Sequence, residues 1–84
     1  PQISIDRDTN TKQNTRLTIS NKNLPKTLGQ ILTVLSDQNL NVVDMINKSR
    51  DEIAYNLIDL ETSPKADTVR TIAAIENVTK VTLL

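Results

Sequence analysis

The side chains able to carry chemistry in this sequence are amides and carboxylates, because Cys and His are both absent. Without them there is no thiolate nucleophile, no imidazole base and no zinc site of the usual kinds. Asp44, Asp59 and Glu61 fall in strand-like runs and read as solvated outward positions rather than a metal cluster. No catalytic residue, metal or cofactor is expected in this chain. The amides are more informative. Asn21 and Asn23 stand two apart, just before Pro25, so in an extended segment they point to the same side. Asn41 lies at the far end of the helix-like run that follows. Each amide offers two donors and one acceptor oxygen. Several around a small cavity can hold a zwitterionic amino acid, with donors for its carboxylate and acceptors for its ammonium. The competing reading makes Asn21 and Asn23 loop and cap residues, and Asn41 an ordinary residue between helix and strand.

The elements that must position these amides follow from apolar spacing. Arg16–Ser20 alternates, placing Leu17 and Ile19 on one face of a strand. From Pro25 to Gln38 the period changes: Leu28, Ile31, Leu32 and Leu35 form the stripe of an amphipathic helix. Pro25 suits the first helical turn, and Asn39 is a fair left-handed stop. Asn41–Ser49 and Ile53–Glu61 are strand-rich runs around Arg50-Asp51-Glu52, which reads as a hairpin of undetermined turn type. Ser63-Pro64 looks like a second helix start, with Val69, Ile72, Ala73 and Ile75 as the apolar face and Asn77 as the stop. Val78–Leu84 closes the chain as a strand.

The order is β–α–β–β–α–β, with two strand–helix–strand halves, Arg16–Ser49 and Ile53–Leu84. Right-handed crossovers interleave the halves into a ferredoxin-like α+β sandwich, a four-stranded antiparallel sheet with both helices on one face. The opposite face and one sheet edge are left without cover, so pairing with a second copy is expected. Residues 1–15 are polar after Ile3 and Ile5 and read as a linker or arm, with a short strand conceivable at Gln2–Asp6. A start on Pro-Gln without Met suggests a piece of a longer protein, with residues 16–84 as its one domain.

Composition excludes more. Ten basic side chains balance ten acidic ones, and Tyr55 is the only aromatic. This gives neither the basic face nor the stacking platform of a nucleic-acid module. No apolar run approaches the roughly 20 residues of a membrane span, and no signal peptide is visible, so the cytoplasm is the default location. Asn47-Lys48-Ser49 and Asn77-Val78-Thr79 match the glycosylation triplet but read as chance in an Asn- and Thr-rich chain. Tyr55 reads as a structural ring at a sheet face, and Lys48 and Arg50 as solvent-facing. Gly29, inside a helix where it costs about 1 kcal/mol against Ala, implies close backbone approach. That neighbour is either the sheet or the helix of a second copy.

One resemblance emerges from these residues. Arg16-Leu17-Thr18-Ile19-Ser20-Asn21-Lys22-Asn23-Leu24-Pro25, Asn39-Leu40-Asn41-Val42-Val43 and above all Asn47-Lys48-Ser49-Arg50 followed by Ala54-Tyr55-Asn56-Leu57-Ile58-Asp59-Leu60-Glu61 resemble one family's regulatory part. That part is the C-terminal ACT domain of bacterial D-3-phosphoglycerate dehydrogenase. The resemblance implies a regulatory module of an NAD-dependent enzyme of L-serine biosynthesis, with NAD bound in the parent enzyme only. It implies a homodimer with L-serine at the interface, Asn23 contacting the effector from one subunit and Asn41 from the other. Asn21 stands where a branch of that family has histidine, and Lys26 where many ACT domains have glycine. Those departures keep two alternatives open: a dimerisation module whose effector site has decayed, and a free-standing metabolite sensor.

Overall fold

The computed structural model describes residues 15–84. The arm expected over residues 1–15 therefore lies outside the described residues, except for Thr15, which is already the first residue of a strand. Six elements follow in order: β1 (Thr15–Lys22), α1 (Thr27–Asp37), β2 (Val42–Arg50), β3 (Ile53–Leu60), α2 (Ala66–Ala73) and β4 (Val78–Leu83). All strand pairs are antiparallel and the sheet order is β2-β3-β1-β4. This is the ferredoxin-like sandwich expected from the periodicity.

The two central strands supply most of the sheet's buried face. Leu17 and Ile19 of β1 and Ile58 and Leu60 of β3 are at most 1% exposed, as are Ile31 and Leu35 of α1 and Ile72 of α2. Period-two alternation on the strands and the i, i+4 step on α1 aim these side chains at one another. Each such burial is worth about 1.5–3 kcal/mol before entropy is counted. Thr18, Tyr55, Leu57 and Ile46 lie on the other face, where Tyr55 and Ile46 stay exposed. No helix among the described residues is long and apolar enough to cross a membrane.

Helix ends depart from the sequence reading in an instructive way. Asn39 is the left-handed stop of α1, with φ 58°. The Asn39 N–H donates to Ser36 O at 2.9 Å and the Leu40 N–H to Leu35 O at 2.9 Å, the two bonds of a Schellman motif. Asn77 plays no such part. α2 ends four residues earlier, at Ala73, and Asn77 instead offers its carbonyl to the Lys22 N–H at 2.8 Å. The start of α2 also moves. Lys65 in extended conformation is its N-cap, without a side-chain bond, so Ser63 and Pro64 precede the helix and Pro64 is buried. Thr68 takes the inward place expected for Ala73, which is exposed. Pro25 likewise lies in the turn before α1, which begins two residues later.

The hairpin closes with two loop residues, Asp51 and Glu52, between the paired Arg50 and Ile53. Only Asp51 has positive φ, at 57°. That is the sign pattern of a II′ turn rather than of I′, which needs both residues left-handed. At the other end of the same pair the register slips between Val42 and Asp44, leaving Val43 as the extra, exposed residue of a bulge.

Candidate functional site

Three connections meet at the end of the sheet where α1 begins. The Asn23 N–H donates to Glu52 O at 2.8 Å, and Asn23 Nδ2 reaches Asp51 O at 3.3 Å. The loop from β1 to α1 is thus tied to the β2–β3 hairpin, while the Lys22–Asn77 bond ties it to the approach to β4. Lys22, Asn23, Leu24, Asp51, Glu52 and Ile53 line an open cleft of about 400 Å³. That lies in the lower part of the 300–1,000 Å³ range usual for small-molecule sites.

The adjacent start of α1 is electrostatically open. Lys26 is its N-cap without a side-chain bond, and no acidic residue stands in its first turn. The Thr27 N–H is taken by Leu24 O at 3.2 Å and the Gln30 N–H by Lys26 O at 3.0 Å. Among the described residues nothing accepts from the N–H groups of Leu28 and Gly29. Thr27 is fully buried and its Oγ1 has no partner among the described residues. Free N–H groups and the helix dipole favour an anionic group here.

The three amides expected to act together are dispersed within one chain. Asn23 is exposed in the first cleft. Asn41 lines a second cleft of about 400 Å³ at the far end of α1, with Leu32, Leu35, Ser36, Asn39, Leu40 and Val42. Eleven helical residues separate the two clefts by about 16 Å at 1.5 Å per residue. Asn21 is not a loop residue. It belongs to β1, faces the helices and is 2% exposed, while Asn23 stands clear of the strand.

Asn21 ends a chain of amides that crosses three strands. Asn47 Nδ2 donates to Asn56 Oδ1 at 2.5 Å, Asn56 Nδ2 to Asn21 Oδ1 at 2.7 Å, and Asn21 Nδ2 to Lys22 O at 2.8 Å. Asn56 is 1% exposed at the centre, and Asn47 is exposed on the edge strand β2. Sequence reasoning missed this chain, although half of it was within reach. Asn47 and Asn56 are equidistant from a two-residue turn at Asp51-Glu52, which puts them opposite each other. The link to Asn21 depends on the β1–β3 register, which no local pattern specifies.

On the helix-free face, Arg16 grips Asp59 through two bonds, Nε to Oδ1 at 2.7 Å and Nη2 to Oδ2 at 3.1 Å. These hydrogen bonds, with the guanidinium charge, hold the Asp59 carboxyl below its ordinary range against a smaller desolvation effect. Arg70 pairs with Asp67 one turn away on α2. Lys48 and Arg50 are exposed, as expected, whereas Tyr55, read as a structural ring at a sheet face, lies on the helix-free face and is itself exposed.

Comparison with known proteins identifies the architecture. No protein-family model and no curated protein matches the chain. Solved structures do match. The ACT domain of GTP pyrophosphokinase from Chlorobium tepidum superposes with a TM-score of 0.68 at 18% identity, covering 84% of each chain. A homoserine dehydrogenase from Thiobacillus denitrificans gives 0.72 at 18% identity, over 86% of this chain and 17% of that one. A formyltetrahydrofolate deformylase from Pseudomonas putida KT2440 gives 0.72 at 10% identity, over 86% and 28%. The chain has the ACT-type ferredoxin-like fold, and its match covers less than a third of the length of those two enzymes.

Proposed function

We propose that this chain is an amino-acid-binding regulatory domain of a D-3-phosphoglycerate dehydrogenase, with L-serine as its effector. The observation that carries the reading is the open start of α1, with unpaired N–H groups, no side-chain cap bond and no acidic residue in its first turn, beside Asn23 held against the hairpin. A ligand carboxylate is the group this end of the helix lacks. The particular enzyme is suggested by the sequence from Asn47 to Glu61. In that parent, NAD and 3-phosphoglycerate would be handled in the cytoplasm by residues outside this sequence.

Asn41 can join Asn23 only from a second copy, since α1 separates them within one chain. Gly29 supports such a copy. Among the described residues a Cβ built there meets nothing within 4 Å, so no close approach by them accounts for the glycine. The expected packing of Gly29 against its own sheet is overturned, and the cross-dimer alternative is the one we propose. A ligand that bridges two subunits binds the closed dimer better than the open one, and only that difference shifts the population.

Asn21 favours a second reading, a dimerisation module whose effector site has decayed. The position at which a branch of relatives uses histidine is here turned inward and bonded at both ends. Calorimetry with L-serine on the chain and on its Asn23→Ala and Asn41→Ala variants separates the two. Heat lost in both variants supports the effector site, and an intact dimer with no heat at millimolar L-serine leaves the dimerisation module.

A further inference from the structure

Lys48, Tyr55, Ser20 and Lys80 form one row across the sheet, each opposite the next through the strand pairings. They lie on the face without helices, where Arg50, Ile53 and Lys22 make the next row toward the hairpin. The row on the other side is Ile46, Leu57, Thr18 and Thr82. Strands about 4.8 Å apart put Lys48 and Lys80 about 14 Å from each other, with Tyr55 between them. Tyr55 is 49% exposed and Ile46 42%, while Ile53 and Leu57 flank Tyr55 along β3 and are half-buried. The centre of the face is thus flat and apolar. Its rim is cationic: Lys22, Lys48, Arg50 and Lys80 are all exposed.

No carboxylate stands in these three rows. Among the described residues none of the four rim cations reaches a carboxylate, although Arg16 and Arg70 each hold one. Asp44 and Asp59 occupy a fourth row, beyond Ile46 and Leu57, and Asp59 is already held by Arg16. Asp51, Glu52 and Glu76 stand in the connections at the hairpin end rather than on the strands. Ten basic and ten acidic side chains balance over the whole chain, but they do not balance over this face. Lys48 and Arg50, two apart on one strand, are about 7 Å from each other, within the screening length at physiological salt. An anionic partner relieves that repulsion.

A flat apolar centre inside a polar rim is the anatomy of a protein interface. Single-stranded nucleic acid stacks on aromatic rings at successive positions, and Tyr55 stands alone. A membrane surface takes up apolar side chains that project, whereas Ile53 and Leu57 are recessed. A second copy laid face to face does not supply the charge, because the face holds only Asp44 and the engaged Asp59. We propose that this face docks an acidic segment of a partner protein. Its carboxylates meet Lys22, Lys48, Arg50 and Lys80, and its apolar side chains rest on Tyr55 and Ile46. The copy proposed at Gly29 meets α1, on the other side of the sheet, and leaves this face free. Docking here is also separate from the effector reading, since Lys48, Arg50 and Lys80 line neither of the two larger clefts.

Tyr55 is the only aromatic residue, so the tyrosine emission of the 84-residue chain reports on this face alone. The probe is a twelve-residue peptide repeating Glu-Leu-Glu-Thr, with the same peptide carrying Lys in place of Glu as its control. A saturable change in emission is expected with the acidic peptide only, its affinity falling about tenfold or more between about 50 and about 300 mM salt. The double variant Lys48→Glu with Lys80→Glu, its sheet checked by far-UV circular dichroism, should bind the acidic peptide about tenfold or more weakly. An equal charge reversal on the helix side, Lys65→Glu with Arg70→Glu, should change that affinity less than threefold. No saturable change with the acidic peptide, or an equal response to the basic one, overturns the proposal on the unaltered chain. Equal weakening by the two double variants overturns it as well, because only the net charge then matters. Tighter binding of a twelve-nucleotide oligouridylate or of phosphatidylserine vesicles than of the acidic peptide does the same.

Discussion

Replacing Asn56 by Asp swaps one donor for an acceptor in the middle of the buried amide chain. Asn56 is 1% exposed, receives from Asn47 at 2.5 Å and gives to Asn21 at 2.7 Å. A carboxylate there keeps the Asn47 bond but sets an acceptor against Asn21 Oδ1. Flipping Asn21 only moves that clash to the Lys22 carbonyl. A buried acceptor without a donor costs about 1–3 kcal/mol, and the lost bond about 1 more. Desolvation of the charge adds to both, so a loss of about 3 kcal/mol or more is expected at neutral pH. Domains of this size hold roughly 4–10 kcal/mol in all. The cost is pH-dependent because a protonated carboxyl can donate to Asn21 as the amide did. Burial and the missing donor therefore raise the folded pKa of the introduced Asp above its unfolded value of about 3.9. For such a group, native stability is retained below the unfolded pKa and lost as pH rises through the folded one. Urea unfolding from pH 3.5 to 8, followed by far-UV circular dichroism, should show the variant converging on the unaltered protein at low pH. Asn47→Ala leaves Asn56 Oδ1 without its donor and should cost about 1–3 kcal/mol, the same at every pH. A pH-independent loss for Asn56→Asp, or one that shrinks as pH rises, would refute the polarity of the chain.

Other outcomes follow from single residues. Gly29→Ala should stabilise the monomer by about 1 kcal/mol, because the position is exposed and a Cβ meets nothing. It should also weaken self-association measured by sedimentation, and a dimer unaffected by Gly29→Ala removes the helix contact between copies. Thr27→Val should raise stability by about 1 kcal/mol by deleting a buried hydroxyl without a partner, whereas a lower melting temperature would reveal a partner for it. The Asp59 carboxyl, lowered first by its hydrogen bonds to Arg16, contributes stability that is present above the unfolded pKa of about 3.9 and lost as pH falls through its lowered folded value. In an NMR titration its midpoint should lie below ordinary aspartates and return toward them in Arg16→Ala. An unshifted midpoint means the two-bond pair does not persist in solution.

Much of this architecture was legible because it is local. Alternation in Arg16–Ser20 and the stripe Leu28, Ile31, Leu32, Leu35 specify a strand and a helix within a few residues, and Asn39 stops α1 through its own tolerance of positive φ. The ends of α2 were less legible. Ser63-Pro64 has the composition of a helix start, yet burial of Pro64 and the inward turn of Thr68 shift the helix to begin at Ala66. Core contacts there outweigh a cap worth only about 1 kcal/mol. Asn77 is similar: its carbonyl holds Lys22 across the sheet end, a demand that no feature of the C-terminal third announces.

The candidate site divides along the same line. The amino acids alone determined that no Cys or His chemistry is available, that α1 follows a short loop carrying Asn23, and that the fold is a βαββαβ sandwich. They determined these because side-chain chemistry and short-period burial are properties of neighbouring residues. Tertiary structure alone decided that Asn21 is buried rather than offered to a ligand, and that it continues through Asn56 to Asn47. The reason is register. Residues 35 positions apart share a hydrogen bond only once β1 and β3 are paired, and a slip of one residue would turn Asn21 to the opposite face.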